Sequence, residues 1–276
     1  MENITLLEKI SKYFYCFMDK INEYKKELEV AKNIAKEAGP IMLKYFDAEQ
    51  EVEIKDDNSQ VTIADKLINS LVIEKLTNTF PKDGVIGEEE SNTEYGTGRK
   101  WFCDPIDGTM AFIWGTPTAM FSLALVVDGT PVLGVAYDPF LNRLYEAVVG
   151  QGSFCNSVPL KASKKELKGG LVAATSNINK IMKRPNHLVS LSEKGVRFAI
   201  FSGAVFKSCL VAKGKVEAYF EDGISAHDVA AVQVIVEESG GKVTNARGEK
   251  LDYTKPFKGA IVSNNVTHDE MVKYCS

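Results

Sequence analysis

The sequence predicts an α+β fold, in which helices and strands form separate layers, and three observations support this. Apolar residues recur at helical spacing in residues 24–46 and again in residues 62–80. From residue 121 onward, short apolar segments alternate with Asp-Gly and Asp-Pro turns, which is typical of strands. After residue 161, strands and helices interleave, and this favours layers of both kinds. The 276 residues are 45% hydrophobic, enough for a substantial core.

The first part of the chain contains two predicted helices joined by a polar segment. Gly39-Pro40 interrupts the first helical pattern and predicts a kink or a break there. Residues 49–60 are polar and charged, so we expect an exposed, mobile loop. The second helix is closed by the Pro-Lys-Asp-Gly turn at residues 81–84.

The remaining segments are assigned from periodicity and turn residues, without any internal repeat or low-complexity linker. The predicted strands are residues 121–127, 132–137, 143–147, 171–174, 196–201, 217–220 and 259–263. The predicted helices are residues 179–193, 205–213 and 226–239, followed by a terminal helix.

Charge and composition argue against several classes of function. The net charge is −4 and the pI is about 5.6, so the chain has no basic footprint for nucleic acid. No apolar run is long enough to cross a bilayer, and we expect no membrane partner. The cysteines form no close pair, which is typical of reduced thiols in a cytoplasmic protein and not of a disulfide framework or zinc site. These cysteines are Cys16, Cys103, Cys155, Cys209 and Cys275.

Residues 1–26 are predicted to form an N-terminal helical extension. Leu6, Ile10 and Phe14 lie at helical spacing, and the charged residues between them interrupt any signal-peptide core. We expect this helix to pack on the body of the protein or on a partner subunit, and we expect a homodimer.

The most informative motif is Trp-Phe-Cys-Asp-Pro-Ile-Asp-Gly-Thr at residues 101–109. The proline between Asp104 and Asp107 fixes the backbone, so both carboxylates can face one point with the Ile106 carbonyl between them. Carboxylate and carbonyl oxygens suit a hard cation such as Mg²⁺. An Asp-Pro turn closed by Asp-Gly is also common in ordinary loops, so the motif alone leaves both interpretations open.

The last two residues of this motif suit an anion. Gly108 lets the backbone approach a ligand closely. Thr109 supplies a hydroxyl at a point where a new helix could begin, and the N-terminus of a helix suits a phosphate.

Two distant acidic segments accompany the motif. Glu88 lies in the run Gly-Glu-Glu-Glu-Ser at residues 87–91, which by itself is typical of a solvated charge run. Asp228 follows His227 at the start of a predicted helix, where an acid ordinarily caps the helix. Each segment alone is a weak signal, whereas the three in this order are a strong one.

With these three segments the chain resembles the inositol monophosphatase family of metal-dependent, lithium-sensitive phosphatases. Further agreement lies in Val-Thr-Ile-Ala-Asp at 61–65, Gly-Gln-Gly-Ser-Phe-Cys-Asn at 150–156 and Ala-Tyr-Phe-Glu at 218–221. The resemblance begins near residue 28 and reaches the C-terminus. It implies a layered αβαβα sandwich with the metal site between its halves. We expect one phosphatase domain, residues 27–276, with subdomains of about 27–160 and 161–276.

The resemblance also implies the metal ligands. The first Mg²⁺ would be held by Glu88, Asp104 and the Ile106 carbonyl, and the second by Asp104, Asp107 and Asp228. Two such cations can clamp the attacking and leaving oxygens of an in-line displacement. Lys55 matches a loop lysine near an optional third metal, and a solvated surface lysine is the alternative.

The catalytic residues implied by the resemblance are Asp65, Glu88 and Thr109. Thr109 would contact the attacking water, and Asp65 would accept a proton through the Thr109 hydroxyl. The backbone N–H groups of Gly108 and Thr109 would hold phosphate oxygens. An acid in the first turn of a helix, such as Asp65, is otherwise an ordinary stabilising feature.

For the substrate, the resemblance implies a small phosphorylated metabolite, with inositol monophosphate as the leading choice. Ala204, Glu221 and Asp228 would contact it, although an acid at a strand end is often only a surface residue. Two segments depart from the inositol pattern: Met-Ala-Phe at 110–112, and His227 where many members have tryptophan. Residues 111–117 are closer to the histidinol-phosphatase branch. The alternatives are therefore histidinol phosphate, a sugar or nucleotide bisphosphate, and a regulatory role through protein partners.

Overall fold

The computed structural model describes residues 23–48, 52–54, 60–92, 98–177, 179 and 185–275. Lys55 and residues 1–22, which form most of the predicted N-terminal extension, lie outside the described residues. Among the helices of the described ranges, none combines the length and the apolar character needed to cross a membrane.

The elements follow one another in an order that begins with helices, continues with strands and ends with both. The helices are α1 (Lys25–Tyr45), α2 (Ile63–Thr79), α3 (Thr109–Ile113), α4 (Pro185–Glu193), α5 (Ala204–Ala212), α6 (Ala226–Glu238) and α7 (His268–Cys275). The strands are β1 (Val52–Ile54), β2 (Gln60–Thr62), β3 (Gly84–Gly87), β4 (Ser91–Asn92), β5 (Arg99–Asp107), β6 (Met120–Val127), β7 (Thr130–Asp138), β8 (Arg143–Val148), β9 (Gly152–Cys155), β10 (Val158–Pro159), β11 (Leu171–Thr175), β12 (Arg197–Phe201), β13 (Ala218–Glu221), β14 (Lys242–Thr244) and β15 (Ala260–Ser263).

The strands form two large sheets and one short hairpin. The first sheet has eight strands in the order β10-β9-β8-β7-β6-β5-β3-β4, and only the β3–β5 pair is parallel among its described strands. The second sheet has five strands in the order β12-β11-β13-β15-β14. In it β11 runs parallel to both β12 and β13, so the carboxyl ends of these three strands meet at one edge.

Helices cover the outer face of each sheet and fill the space between them. α1 and α2 pack on one face of the eight-stranded sheet, and α5 and α6 pack between the two sheets. α4 and α7 share a core with the outer face of the five-stranded sheet, around Leu191, Ile261 and Met271. The order of layers is therefore αβαβα, which confirms the predicted fold.

Strand β6 shows why the central segments are almost continuously apolar. Successive side chains of a strand point to opposite faces, and both faces of β6 are covered by helices. Phe121, Leu123 and Leu125 join the core under α1 and α2, whereas Ala124 and Val126 join the core between the sheets. A strand buried on both faces reads as a hydrophobic run without polar alternation.

Two local predictions are met only in part. Helix α1 is continuous through Pro40, so the chain does not break there. A Cβ on Gly39 would lie 2.6 Å from the Tyr137 ring, so the glycine allows close packing of α1 on β7. Of the segment at 49–60, which was expected to be an exposed loop, the structure describes residues 52–54 and 60. Glu53 and Ile54 are exposed as expected, but Val52–Ile54 is a strand that pairs antiparallel with Gln60–Thr62. Backbone pairing outweighs the polar composition at both ends of that segment.

Candidate metal centre and active site

The Asp-Pro-Ile-Asp motif lies at the end of β5, beside β6 in the first sheet. Asp104 pairs with Ser122 and Asp107 pairs with Met120, and the register shifts between them. Pro105 has no N–H to donate to a ladder, which suits such an irregularity. Asp104 Oδ1 accepts a hydrogen bond from the Ile106 N–H at 3.1 Å. The local bend therefore comes from the proline and from this side-chain bond.

The third acid, Asp228, lies far along the chain, in the first turn of α6. Asp228 Oδ2 accepts hydrogen bonds from the Ser225 N–H at 2.6 Å and from the Ser225 hydroxyl at 3.2 Å, as part of a capping box. Asp104, Asp107 and Asp228 each offer one oxygen, and these oxygens lie within 4.8 Å of one another. Three convergent carboxylates with a carbonyl nearby form a donor set that fits a hard divalent cation.

Asp107 also connects the two halves of the protein. Its Oδ1 accepts the Ala204 N–H at 2.8 Å and its Oδ2 accepts the Val205 N–H at 2.7 Å, both at the N-terminus of α5. Two glycines permit this approach. Gly203 has φ +86°, and a Cβ there would lie 2.9 Å from Asp107 Oδ2; a Cβ on Gly108 would lie 3.1 Å from the Gly203 Cα.

The electrostatics of the cluster show the cost of crowding buried acids. Burial and the neighbouring Glu88 raise the pKa of Asp104 well above its usual range. Burial and the neighbouring Asp228 raise the pKa of Asp107 to about 7, although two backbone N–H bonds oppose the shift. Burial likewise raises the pKa of Asp228. Without a cation these carboxylates would share protons, so the site suits a positively charged occupant.

Glu88 follows β3, and its N–H donates to the Cys103 carbonyl at 3.1 Å. Its charge contributes to the raised pKa of Asp104 and of Asp228, which places it beside the three convergent acids. Asn69 of α2 supports the same turn by donating from its amide to the Glu90 carbonyl at 3.2 Å. Glu88 is therefore within electrostatic range of the cluster, although it is not one of the three acids whose oxygens lie within 4.8 Å of one another.

Asp65 occupies the first turn of α2 and is fully buried. Its Oδ2 accepts from the Thr62 N–H at 2.8 Å and from the Thr62 hydroxyl at 2.7 Å, whereas its buried Oδ1 has no hydrogen-bond partner among the described residues. Burial, together with the charges of Glu89 and Glu88, raises the pKa of Asp65 to about 7 despite these bonds. The Thr109 hydroxyl donates to the Ile106 carbonyl at 3.2 Å, so the expected Asp65–Thr109 contact is not formed here.

The predicted substrate residues lie at the edge where the parallel strands of the second sheet end. Ala204 begins α5, directly after β12, and its N–H is held by Asp107. Glu221 ends β13 and is 7% exposed, so it is not the surface acid that we considered as an alternative. Its Oε2 accepts from Lys207 Nζ at 2.8 Å and from the Tyr219 hydroxyl at 2.5 Å.

Lys207 is the residue of this site that the sequence analysis missed. It lies on α5 with 1% exposure, and Nζ also donates to the Phe201 carbonyl at 3.3 Å and lies 4.5 Å from the Tyr219 ring centre. The available signal was a single charged residue in the largely apolar segment at 204–212, because lysine is rarely buried unless it is paired.

The layered fold and a carboxylate cluster that could hold a metal ion are consistent with a family of metal-dependent phosphatases, and comparison with known proteins tests this. Comparison with known families matches residues 23–275 to the inositol monophosphatase family, and the chain belongs to that family. The histidinol-phosphatase of Chlorobaculum parvum is 35% identical over 226 residues, covering 81% of this chain and 87% of the relative. The inositol monophosphatase of Mesembryanthemum crystallinum is 32% identical over 256 residues, covering 89% and 94%. The solved IMPase of Thermotoga maritima matches with a TM-score of 0.83 and 28% identity, covering 91% and 96%.

Proposed function

We propose that the protein is a Mg²⁺-dependent phosphomonoesterase that hydrolyses inositol monophosphate. The convergence of Asp104, Asp107 and Asp228 carries this proposal, because acids from distant segments would not be packed within 4.8 Å without a cation to hold. Membership of the phosphatase family supports the same chemistry.

The metal ligands proposed are Glu88, Asp104, the Ile106 carbonyl, Asp107 and Asp228, which would hold two Mg²⁺ ions. When bound, such cations supply Lewis-acid stabilisation of phosphate charge and an activated water. The residues contribute position: Asp104 is held by the Ile106 N–H and Asp228 by Ser225. These bonds keep the donor oxygens pointing at one place before any ligand arrives.

Asp65 has the properties of a proton acceptor at neutral pH. Burial raises the pKa of Asp65 above its usual range, which makes the carboxylate more basic, and its unpartnered Oδ1 is available to a donor. We propose that the Thr109 hydroxyl turns from the Ile106 carbonyl toward Asp65 when substrate binds. Catalytic hydrogen bonds often tighten only in the complex, which is consistent with the present geometry. The N–H groups of Gly108 and Thr109 would hold the phosphate.

Histidinol phosphate is the second candidate substrate. The 35% identity to a histidinol-phosphatase and the segment at 111–117 favour it. Against it stands Glu221, whose carboxylate is already paired with a lysine and suits uncharged hydroxyls better than a second cation. The pairing favours inositol monophosphate as the substrate.

The test is the hydrolysis of a panel of phosphomonoesters with Mg²⁺, by the wild type and by Asp104→Asn. Asparagine keeps the bond to the Ile106 N–H but removes the charge, so we expect kcat/KM to fall at least about 100-fold, as removal of a central electrostatic group does. Asp128→Asn is the matched control, since Asp128 lies exposed in the turn after β6. Unchanged turnover in Asp104→Asn at saturating Mg²⁺ would refute the metal site.

A further inference from the structure

The buried pair of Lys207 and Glu221 joins α5 to β13, but it is an energetically expensive way to do so. Lys207 is 1% exposed and Glu221 is 7% exposed, so both charges have been removed from water. Burying an ion pair costs desolvation energy that its attraction often fails to recover, so apolar residues of similar size would stabilise the core as well or better. A pair retained at such a cost indicates a role for its charges.

The position of the pair connects it to the candidate active site. Glu221 lies at the carboxyl end of β13, and Phe201, whose carbonyl accepts from Lys207, lies at the carboxyl end of β12. These ends meet at the edge from which α5 starts, and α5 holds Asp107 through its first N–H groups. The positive charge of Lys207 lowers the pKa of Asp107, which shows that the two groups are within electrostatic reach.

The pair changes what Glu221 offers to a ligand. An uncompensated carboxylate in a buried site attracts cations, whereas one paired with an ammonium group forms a neutral unit that still accepts hydrogen bonds. The Tyr219 hydroxyl, 2.5 Å from the same oxygen, fixes the orientation of the carboxylate. Hydroxyl groups can donate hydrogen bonds to such a unit. An ammonium or imidazolium group is attracted to it only weakly and is repelled by the positive charge of Lys207.

We propose that Lys207 is a positioning residue that sets specificity: by neutralising and orienting Glu221, it makes this edge of the site select an uncharged polyol phosphate over a phosphate ester that carries a cationic group. This inference rests on the proposed phosphomonoesterase function and refines its substrate class. Lys207 acts through Glu221 and does not itself contact the substrate.

The experiment compares kcat/KM for inositol 1-phosphate and histidinol phosphate at pH 8, in wild type, Lys207→Met and Glu221→Gln. Lys207→Met removes the cation that neutralises Glu221, and the ammonium group of histidinol phosphate can take its place, so the ratio should move toward histidinol phosphate by about tenfold or more. Glu221→Gln leaves Lys207 uncompensated, so the ratio should move about as far the other way. Changes at the metal centre affect both substrates and cancel in the ratio, and a merely structural role would not produce opposite shifts.

Two further variants keep the test decisive. Lys207→Met/Glu221→Gln removes both charges, which spares the fold an unpaired buried charge, and its ratio should lie near that of the wild type. Lys32→Met is the matched control, because Lys32 forms a comparably close ion pair with Glu146 (2.6 Å) on the far side of the first sheet, and its ratio should not change.

The inference is overturned if the ratio shifts in the same direction in Lys207→Met and Glu221→Gln, if it does not change, or if the wild type prefers histidinol phosphate. In each of these cases the protein would still be a phosphatase. Failure of the wild type to hydrolyse either substrate or p-nitrophenyl phosphate with Mg²⁺ would overturn the proposed function, and the inference with it.

Discussion

Substitution of Asp65 by asparagine should make the metal-free protein more stable at alkaline pH. Asp65 is fully buried and its pKa is raised from 3.8 to about 7, with burial as the main cause. Because the native state binds the proton more tightly than the unfolded state, wild-type stability falls as pH rises from about 4 to about 7. Each pKa unit is worth about 1.4 kcal/mol, so the loss amounts to about 4 kcal/mol above pH 7.

Asparagine avoids this loss because it carries no charge at any pH. It can still accept from the Thr62 N–H, and the two Thr62 bonds to the charged carboxylate are already included in the raised pKa. About 1 kcal/mol of the loss has already occurred at pH 4.5, where the unfolded-state carboxyl is largely ionised, so we expect Asp65→Asn to be about 3 kcal/mol more stable than the wild type at pH 8.5. Near pH 4.5 the two proteins should be similar, or the variant slightly less stable.

Urea unfolding with EDTA present, at pH 4.5, 6.5 and 8.5, measures this difference directly. At pH 8.5 the gain corresponds to a rise in Tm of about 5 °C for a chain of this size. With Mg²⁺, the same variant should lose at least about 100-fold in turnover if Asp65 is the base. Asp269→Asn is the control, because Asp269 is a first-turn acid of α7 with a 92% exposed side chain, so its replacement should change stability little. A difference between wild type and Asp65→Asn that does not vary with pH would refute the reasoning.

Two further predictions concern the metal centre. Lithium should compete with Mg²⁺ for the site formed by Asp104, Asp107 and Asp228 and should inhibit turnover in the millimolar range. The measurement is phosphate release at fixed Mg²⁺. Turnover that does not change with lithium would count against that second metal site but not against the phosphatase activity. Gly203→Ala places a Cβ 2.9 Å from Asp107 Oδ2 at φ +86°, so it should lower stability by about 1–3 kcal/mol and weaken Mg²⁺ binding. Gly169→Ala is the control for backbone strain, because Gly169 also has a positive φ (+69°) but a Cβ there would have nothing within 4 Å. If the two variants need the same Mg²⁺ concentration for half-maximal turnover, the role given to Gly203 is contradicted.

The features that the sequence predicted correctly depend on local patterns. The αβαβα layering followed from the family resemblance, and the helix that begins after Thr62 and the central strands followed from periodicity and turn residues. Asp65 and Asp228 are instructive because each had an ordinary interpretation as a first-turn acid. That interpretation is confirmed for both, since each completes a capping box. Asp228 is also one of the three convergent carboxylates, and the charge of Asp65 contributes to the raised pKa of Asp104. Local capping and a role in the site are therefore compatible in one side chain.

The features that were missed depend on contacts between distant residues. The pairing of Lys207 with Glu221 joins α5 to β13, and no spacing rule predicts that a particular lysine will be buried against a particular acid. Helix α1 also continues through Pro40, next to the point where Gly39 packs against Tyr137 of β7. Both features involve contacts with an element far along the chain.

Three helix N-termini converge on the acidic cluster, and this explains how the fold tolerates it. Asp65 and Asp228 cap α2 and α6, and Asp107 accepts the first N–H groups of α5. The positive end of a helix stabilises a nearby carboxylate by about 0.3–2 kcal/mol. Yet the pKa of Asp107 stays at about 7 even with both backbone bonds, so the compensation is incomplete. The negative charge that remains would attract divalent cations to the site. The three helix N-termini therefore stabilise the carboxylates enough for the protein to fold, while leaving enough negative charge to bind metal.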